Sequence, residues 1–358
     1  MVGISLLTLV PKVVGGSETY ARELVRALAR VGSLEYRVFT PTVAPDAADG
    51  LPGKTVPAYR ASLSMPGRVR AMVLATARPG SIRRELELDR LKAIHFPLTV
   101  MLPRVRELPA AVTVHDVIDN LFPSTLTPAE RLYRKVVYGS TLRRSRLVIV
   151  PSEHLGDLLV ERYSVDRDRV RAIHLGVDRE HFHPNGDTRK PFLLYPANGW
   201  RHKNHERLFD AFTLVRRDRP ELSLILAGHG LDRLPLPSGV SVRGHVSQDV
   251  LSDLYRGASG LVFPSLHESF GLPTIEAMAC GCPVAASRAG ALPEVCGDAA
   301  RYFDPTSVED IATAIGDILS RPDELGAKGL AWAQQYTWEK CAQRHDDVYR
   351  ELTGGMCT

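Results

Sequence analysis

The sequence lacks the cysteine patterns that mark a metal site or a disulfide-stabilised domain. Its five cysteines lie at positions 280, 282, 296, 341 and 357, with no C-x-x-C pair and no metal-ligand spacing. This usage is typical of a reducing compartment and predicts a cytoplasmic protein. Beyond the cysteines, the His and carboxylate residues also form no cluster that suggests a metal site. The sequence therefore predicts no metal ion.

The apolar N-terminal segment, residues 2–10, lacks the length needed to span a bilayer. It has no basic region before it and stops at Pro11 and Lys12, so a first buried strand explains it better than a signal peptide. The chain also has no internal repeat and no G-x-G-x-x-G fingerprint. The missing fingerprint disfavours a Rossmann dehydrogenase.

What the chain does have is the length for two domains and an uneven distribution of charge. With 358 residues, 44% hydrophobic and 24% charged, it has the composition of a soluble globular protein. The net charge is +4, but residues 1–185 hold 27 Lys and Arg against 19 Asp and Glu, and the remainder holds 18 against 22. The first half is therefore basic and the second mildly acidic. We predict no nucleic-acid partner.

One segment of the first half is densely basic, and two interpretations of it stay open. Residues 68–92 include Arg68, Arg70, Arg78, Arg83, Arg84, Arg90 and Lys92. In an arginine-rich chain such a segment can be a solvated helical face. It can also contact an anionic membrane surface or a pyrophosphate-bearing acceptor.

Short apolar strands alternate with amphipathic helices, which predicts parallel, doubly wound α/β sheets. We predict strands at 2–10, 36–40, 93–96, 111–114 and 147–150, and a second series at 192–195, 223–227, 240–243, 260–263 and 284–286. We predict helices at 18–30, with Ser17 as the N-cap, and at 206–217, 249–255 and 338–352. A polar stretch at 178–190 separates the two strand series. The predicted domains are therefore residues 1–182 and 183–337, followed by a terminal helical segment, 338–358.

Two glutamates flank a predicted helix start in the second domain. Glu268 follows the strand 260–263, and Pro273 is suited to the first turn of the helix that carries Glu276. The exposed amides at such a helix start can bind anions or hydroxyls, so this is a plausible sugar-nucleotide pocket. Taken alone, a pair of glutamates here more often interacts with the helix dipole.

Three further groups lie where strands of a doubly wound sheet bind ligands, at the carboxyl ends. Gly15 and Gly16 follow the first strand and let the backbone approach a diphosphate closely. Lys203 follows the first strand of the second domain and can neutralise a departing nucleoside diphosphate. His115 follows the strand 111–114. Each group also has a purely structural alternative. The glycines can form a simple turn, the lysine can lie in an exposed turn, and the histidine can serve only to support the fold.

One acidic pair is a candidate metal site by its spacing alone. Asp166 and Asp168 have a D-x-D spacing, with which two carboxylates can hold a divalent ion. The pair lies in an arginine-rich stretch rather than at the end of a nucleotide-binding unit. We therefore predict a surface turn.

The string His267–Val284 resembles the E-x7-E signature of glycosyltransferase family 4, and the glycine pair, His115-Asp116 and Lys203-Asn204 resemble that family's other motifs. The resemblance covers nearly the whole chain. It implies the GT-B fold, in which two Rossmann-like doubly wound domains face a central cleft. It also implies that the terminal helix crosses back to the first domain.

The resemblance also implies roles for particular residues. Glu276 accepts hydrogen bonds from the nucleotide ribose, and Glu268 lies by the transferred sugar. The stretch Ser269, Phe270, Gly271 and Leu272 holds sugar hydroxyls, and Gly15 and Gly16 touch the diphosphate and the acceptor. Lys203 holds the diphosphate, and His115 faces the donor sugar and supports turnover.

The sequence departs from the family pattern at one position. The family often has an arginine about six residues before the lysine, where this chain has Ala197, and Arg201 is the candidate substitute. Glu294, in a G-x-P-E-like stretch, is either structural or close to the donor. Asp116 is expected to orient its loop.

The predicted activity is retaining, metal-independent hexosyl transfer from a GDP- or UDP-linked sugar, with mannose from GDP-mannose as the first choice. No cofactor is expected. The acceptor is a glycan, a lipid-linked sugar or a natural product, and the protein is cytoplasmic or peripheral at the inner membrane face. The alternatives are a sugar-nucleotide epimerase, a phosphorylase, or a non-catalytic nucleotide-sugar-binding protein.

Overall fold

The computed structural model describes residues 1–11, 15–122, 127–186 and 188–354. Cys357 and residues 12–14 lie outside the described residues. The chain divides into two compact units, each built on its own sheet. Residues 1–176 and 338–358 form the first unit, and residues 177–337 form the second.

The first unit contains a seven-stranded parallel sheet in the order β3-β2-β1-β4-β5-β6-β7. Its strands are β1 (Val2–Ser5), β2 (Tyr36–Thr40), β3 (Gly53–Thr55), β4 (Ala93–Phe96), β5 (Ala110–Thr113), β6 (Leu147–Val150) and β7 (Val170–Ala172). Its helices are α1 (Gly16–Val31), α2 (Met65–Ala77), α3 (Gly80–Glu85), α4 (Ile118–Leu121), α5 (Pro128–Arg144), α6 (Glu153–Tyr163) and the terminal helix α13 (Trp338–Thr353). The central strands are buried along their whole length, as parallel strands covered by helices on both faces must be.

The terminal helix α13 belongs to the first unit and packs against α1. Arg30 of α1 pairs with Glu339 at 2.7 Å, and the backbone and hydroxyl of Ser33 both donate to Asp346 at 2.8 Å. Tyr36 of β2 also donates to Asp346. These contacts join the last helix of the chain to its first helix and to the second strand.

The second unit contains a six-stranded parallel sheet in the order β10-β9-β8-β11-β12-β13. Its strands are β8 (Lys190–Pro196), β9 (Ser223–Ala227), β10 (Val240–Val242), β11 (Ala258–Phe263), β12 (Val284–Ser287) and β13 (Arg301–Phe303). Its helices are α7 (His205–Arg216), α8 (Gln248–Gly257), α9 (Leu272–Ala279), α10 (Leu292–Cys296), α11 (Val308–Ser320) and α12 (Pro322–Ala333). Both units are therefore doubly wound α/β structures, which confirms the predicted fold class.

The first strand and the first helix differ from the prediction. β1 ends at Ser5 rather than at position 10, because the backbone turns when Leu9 donates to the Leu6 carbonyl at 2.8 Å. Helix α1 begins at Gly16, and its N-cap is Gly15 rather than Ser17. The Gly15 carbonyl accepts the first helical bond, from Glu18 at 2.9 Å. Among the described residues, no helix is both long and apolar enough to cross a membrane.

Candidate active site

Two neighbouring strands of the second unit bring a lysine and a glutamate together. β8 and β11 pair in parallel, so the loops after them meet at the same edge of the sheet. Lys203 follows β8 and Glu268 follows β11, and their Nζ and Oε1 atoms lie 2.5 Å apart. Their side chains are only 14% and 12% exposed, so this is a largely buried ion pair.

The backbone around this ion pair is held from several sides. Asn204 adopts a left-handed conformation, φ 61°, and its amide donates to the carbonyls of Pro264 and Pro305. The Tyr195 hydroxyl donates to the Lys203 carbonyl at 2.8 Å. At Gly290, an added Cβ would lie 2.4 Å from the Glu268 carbonyl oxygen, so only glycine fits there. These contacts therefore fix the backbone that carries the lysine and the glutamate.

Helix α9 places the second glutamate of the motif. Gly271 forms its N-cap at φ 92°, and Pro273 lies in the first turn. Glu276 is buried on this helix and accepts a hydrogen bond from the Tyr255 hydroxyl at 3.0 Å. Burial raises the pKa of Glu276 to about 7, and the nearby charge of Asp178 acts in the same direction, while the bond from Tyr255 opposes both.

The loop between the two glutamates leads directly into that helix. Phe270 is buried, with its ring edge-on to that of Tyr336 at 6.0 Å, and Ser269 precedes it. A Cβ on Gly271 would lie 2.5 Å from a Leu292 methyl group, so α10 packs closely against this turn. Leu272 is the first residue of α9.

Other residues of the second unit lie in the segments that follow its strands, and three of them, Arg201, Ala197 and Glu294, were considered in the sequence. Arg201 begins the short helical turn that ends at Lys203, and it is exposed. Ala197 is buried and donates from its backbone to Ala227. Glu294 lies in the first turn of α10. His229, which follows β9, stacks on His245 with ring centroids 4.8 Å apart.

In the first unit, the glycine pair forms the start of α1. Gly15 has φ 53° and ψ −128°, a conformation that residues with side chains rarely adopt. Within the part of the chain that the structure describes, no atom lies within 4 Å of a Cβ added at Gly15 or at Gly16. A ligand can therefore approach this backbone closely.

His115 follows β5 and has a defined tautomer. Its Nε2 lies 2.7 Å from the Pro97 carbonyl, which can only accept, so Nε2 carries the proton and Nδ1 keeps its lone pair. Burial lowers the pKa of His115, which favours the neutral ring at pH 7. Asp116 accepts hydrogen bonds from Arg134 at 2.6 Å and from the backbone of Ile118 at 3.3 Å, so it orients its loop.

The acidic pair with the D-x-D spacing lies at a surface turn. Residues 167–169 form a short 3-10 turn before β7, and Asp166 pairs with Arg169 at 3.6 Å. Over the part of the chain that the structure describes, no three His, Cys, Asp or Glu side chains converge as a metal site.

The two doubly wound sheets, with polar loops at their carboxyl ends, define the class of the protein as the GT-B glycosyltransferases. A solved sucrose-phosphate synthase from Thermosynechococcus elongatus shares this fold, with a TM-score of 0.76 at 22% identity over 99% of both chains. The family model of glycosyltransferase family 4 matches residues 14–181, and that of glycosyl transferases group 1 matches residues 177–329. The chain belongs to glycosyltransferase family 4, and it is a glycosyltransferase with a nucleotide-sugar donor.

Two curated relatives match parts of the chain. O-antigen chain mannosyltransferase B of Escherichia coli is 28% identical over 269 residues, which are 68% of this chain and 70% of the relative. The MMP alpha-(1->4)-mannosyltransferase of Mycolicibacterium hassiacum is 33% identical over 221 residues, which are 57% of this chain and 54% of the relative. The chain thus spans about half the length of the second relative.

Tyr255 was missed in the sequence, and two residues that belong to recognised motifs, Gly290 and Asn204, were not assigned their structural roles. Tyr255 lies on α8, distant in sequence from Glu276, and a tyrosine in an amphipathic helix gives no signal of its role. Gly290 belongs to the same G-x-P-E-like stretch as Glu294. The sequence does not show that its backbone lies against Glu268. Asn204 follows the lysine directly, and an asparagine between a strand and a helix is typical of a left-handed turn.

Proposed function

We propose that the protein is a retaining, metal-independent hexosyltransferase that moves a mannosyl group from GDP-mannose to a sugar-containing acceptor. The buried Lys203–Glu268 pair beside the start of α9 carries this proposal. In this proposal the Lys203 ammonium group neutralises the charge on the leaving diphosphate. The names of both mannosyltransferase relatives support the choice of sugar.

Each predicted site residue receives a role in this proposal. In the second unit, Lys203 holds the diphosphate with help from Arg201, and Glu276 accepts the ribose hydroxyls. Glu268 and the stretch Ser269, Phe270, Gly271 and Leu272 hold the transferred sugar. In the first unit, the open backbone of Gly15 and Gly16 meets the diphosphate and the acceptor. The unprotonated Nδ1 of His115 accepts a hydrogen bond from a hydroxyl of the donor sugar.

We propose a front-face substitution for the transfer step. The bond from C1 of the sugar to the diphosphate oxygen breaks, and the acceptor oxygen bonds to C1 on the same face. The acceptor proton moves to the departing diphosphate, which balances the step. Attack on the same face retains the configuration at C1, and the step needs no cofactor. A glycosyl-enzyme adduct trapped and seen by mass spectrometry would contradict this route.

The donor base is tested by thermal shift with nucleoside diphosphates. We expect GDP at millimolar concentration to raise Tm by several degrees, because a ligand that binds only the folded state stabilises it. UDP, ADP and dTDP are the matched comparisons. A larger shift with UDP would replace the guanosine donor, whereas no shift with any of the four would contradict the nucleotide site.

The alternatives predict different products from the same donor. An epimerase converts the nucleotide sugar without an acceptor, and a phosphorylase requires inorganic phosphate. A non-catalytic protein gives a thermal shift with neither transfer nor donor hydrolysis. Release of nucleoside diphosphate together with a glycosylated acceptor supports the transferase.

One surface of the first unit supports a peripheral membrane location, facing the cytoplasm, and thus a lipid-linked acceptor. Val73 and Leu74 of α2 and Leu132 and Val136 of α5 are large apolar residues with 48–64% exposure. The two helices touch where the Tyr133 hydroxyl meets the Met72 sulfur at 3.1 Å. We call these two exposed helical faces the α2–α5 surface.

The α2–α5 surface also carries exposed cations. Arg70, Arg131 and Lys135 are exposed on the same faces as the apolar residues, and Arg78 follows α2. The predicted basic segment 68–92 contributes only part of this surface. Arg83 pairs with Glu107, Arg90 pairs with Glu87, and the side chain of Arg68 lies outside the described residues. Apolar side chains among exposed cations fit an anionic lipid surface.

Vesicle binding tests this surface. We expect binding to vesicles of phosphatidylglycerol and phosphatidylcholine, measured by co-sedimentation, and little binding to phosphatidylcholine alone. The double substitution R131A/K135A should weaken binding by about tenfold or more, at about 1 kcal/mol for each cation. Leu132→Glu should weaken it further, whereas Val250→Glu, at an exposed valine of the second unit, should not. Equal binding by all variants would contradict the proposal.

A further inference from the structure

Five buried side chains of the first unit form a continuous hydrogen-bonded chain. Tyr349 bonds to His95 Nδ1, and His95 Nε2 bonds to the Thr113 hydroxyl, both at 2.8 Å. Thr113 bonds to the Tyr20 hydroxyl at 2.8 Å, and Tyr20 bonds to His345 Nε2 at 2.7 Å. The chain therefore begins and ends on the terminal helix α13 and passes through β4, β5 and α1.

Every proton in this chain has one position. His345 Nδ1 lies 2.7 Å from the Cys341 carbonyl and must donate to it, so its Nε2 accepts from Tyr20. The Tyr20 oxygen then accepts from Thr113, whose own oxygen accepts from His95. Burial lowers the pKa of His95 and brings that of His345 to about 4, so both rings are neutral at pH 7. A fully satisfied buried network of this kind fixes the orientation of its members.

This network lies directly against the candidate site. The Tyr20 ring contacts the His115 ring edge-on, with centroids 4.8 Å apart and planes at 70°. Thr113 precedes His115 by two residues on the same chain segment. The His115 ring is thus confined at two places. The Pro97 carbonyl holds its Nε2 atom, and the Tyr20 ring packs edge-on against it.

We propose that Tyr20 and His345 are positioning residues for His115, so that the terminal helix sets turnover through the Tyr20 ring. His345 fixes the Tyr20 hydroxyl, and the fixed ring confines the imidazole whose Nδ1 meets the donor sugar. This inference rests on the proposed role of His115. It assigns to α13 an influence on the chemical step in addition to its packing against α1.

A double-mutant cycle tests the inference by measuring kcat from release of nucleoside diphosphate. We expect His345→Phe, which removes the acceptor for Tyr20, to lower kcat about 10- to 100-fold, since small misplacements of a reacting group have effects of this order. KM for the donor should change little. In the His115→Ala background, the same substitution should cause no further loss. His345→Gln, whose amide oxygen can accept from Tyr20, should recover most of the activity.

A control separates positioning from loss of stability. Val348 is as deeply buried on the same helix and has no polar side-chain atom. Val348→Ala should lower Tm as much as His345→Phe does, or more, yet keep the wild-type kcat at a temperature well below both transitions. A fall in kcat for Val348→Ala equal to that for His345→Phe would overturn the inference.

The outcomes also separate this inference from the proposed function. If His115→Ala keeps the wild-type kcat, the proposed role of His115 is wrong. If His115→Ala is slow while His345→Phe is not, only the positioning role is wrong. The positioning role is equally wrong if His345→Phe lowers kcat by the same factor in both backgrounds.

Discussion

Replacing Lys203 with methionine is expected to lower kcat by about 10²–10³-fold, the usual loss when a preorganised electrostatic group is removed from a transition state. The reason is the position of the ammonium group, in a largely buried loop where water screens little of its charge. Methionine keeps most of the volume of the side chain. The measurement is kcat, and Arg201→Met, at the exposed cation with the helping role two residues away, should show a much smaller loss.

The same substitution should also destabilise the second unit. Without Lys203, the Glu268 carboxylate remains buried with no opposite charge beside it, which costs about 3 kcal/mol or more. Adding Glu268→Gln should therefore restore Tm without restoring kcat. If Lys203→Met kept both kcat and Tm, neither the ion pair nor the leaving-group role would hold. A loss of kcat in Arg201→Met as large as in Lys203→Met would assign the diphosphate to the arginine.

Replacing Glu276 with glutamine is expected to weaken donor binding about 10- to 100-fold with a smaller change in kcat, because a charged acceptor of ribose hydroxyls is replaced by a neutral one. Isothermal titration with the nucleoside diphosphate gives the Kd directly. In the wild type, Kd should fall as pH rises from 6 to 8, since only the carboxylate form accepts both hydroxyls and its pKa is about 7. The Glu276→Gln variant should lack this pH dependence.

Tyr255→Phe is the matched variant for this prediction. It removes the bond that lowers the pKa of Glu276, so the midpoint of the Kd profile should move to higher pH. The folded-state pKa of Glu276 lies above the usual value of 4.5. Its contribution to stability is therefore complete below pH 4.5 and is lost as pH rises through 7. A Kd profile that is flat across this range, or the same in Tyr255→Phe, would contradict the assignment.

The central strands and the edge strand β10 could be predicted from the sequence, but the edge strands β3, β7 and β13 could not. β4, β5, β6 and β9 are short apolar runs, and each is found within a residue of its predicted place. β3, β7 and β13 have three residues each and lie at or near the sheet edges, where only one neighbour constrains the pattern. β3 reads Gly-Lys-Thr and is partly exposed, so it has no hydrophobic periodicity to detect.

The candidate site was predictable where motif residues are adjacent in sequence, and not where they are joined by tertiary contacts. The glutamates and the lysine were identified from their strings, but not the 2.5 Å contact between Lys203 and Glu268. Tyr255 bonds to Glu276 from another helix, and His345 bonds to Tyr20 rather than to a site residue. The spacing of residues along one chain does not report such contacts.

Because the terminal helix belongs to the first unit, that unit cannot be completed until α13 has been synthesised. Residues 177–337 separate α13 from the rest of that unit. On the ribosome, at about 5–20 residues per second, the roughly 300 residues between α1 and α13 take tens of seconds to synthesise. By the end of that time every part of the second unit has been synthesised, whereas Tyr20 and the face of α1 that meets α13 still lack their final neighbours. The second unit can therefore fold first, and the first unit closes around the last helix to emerge.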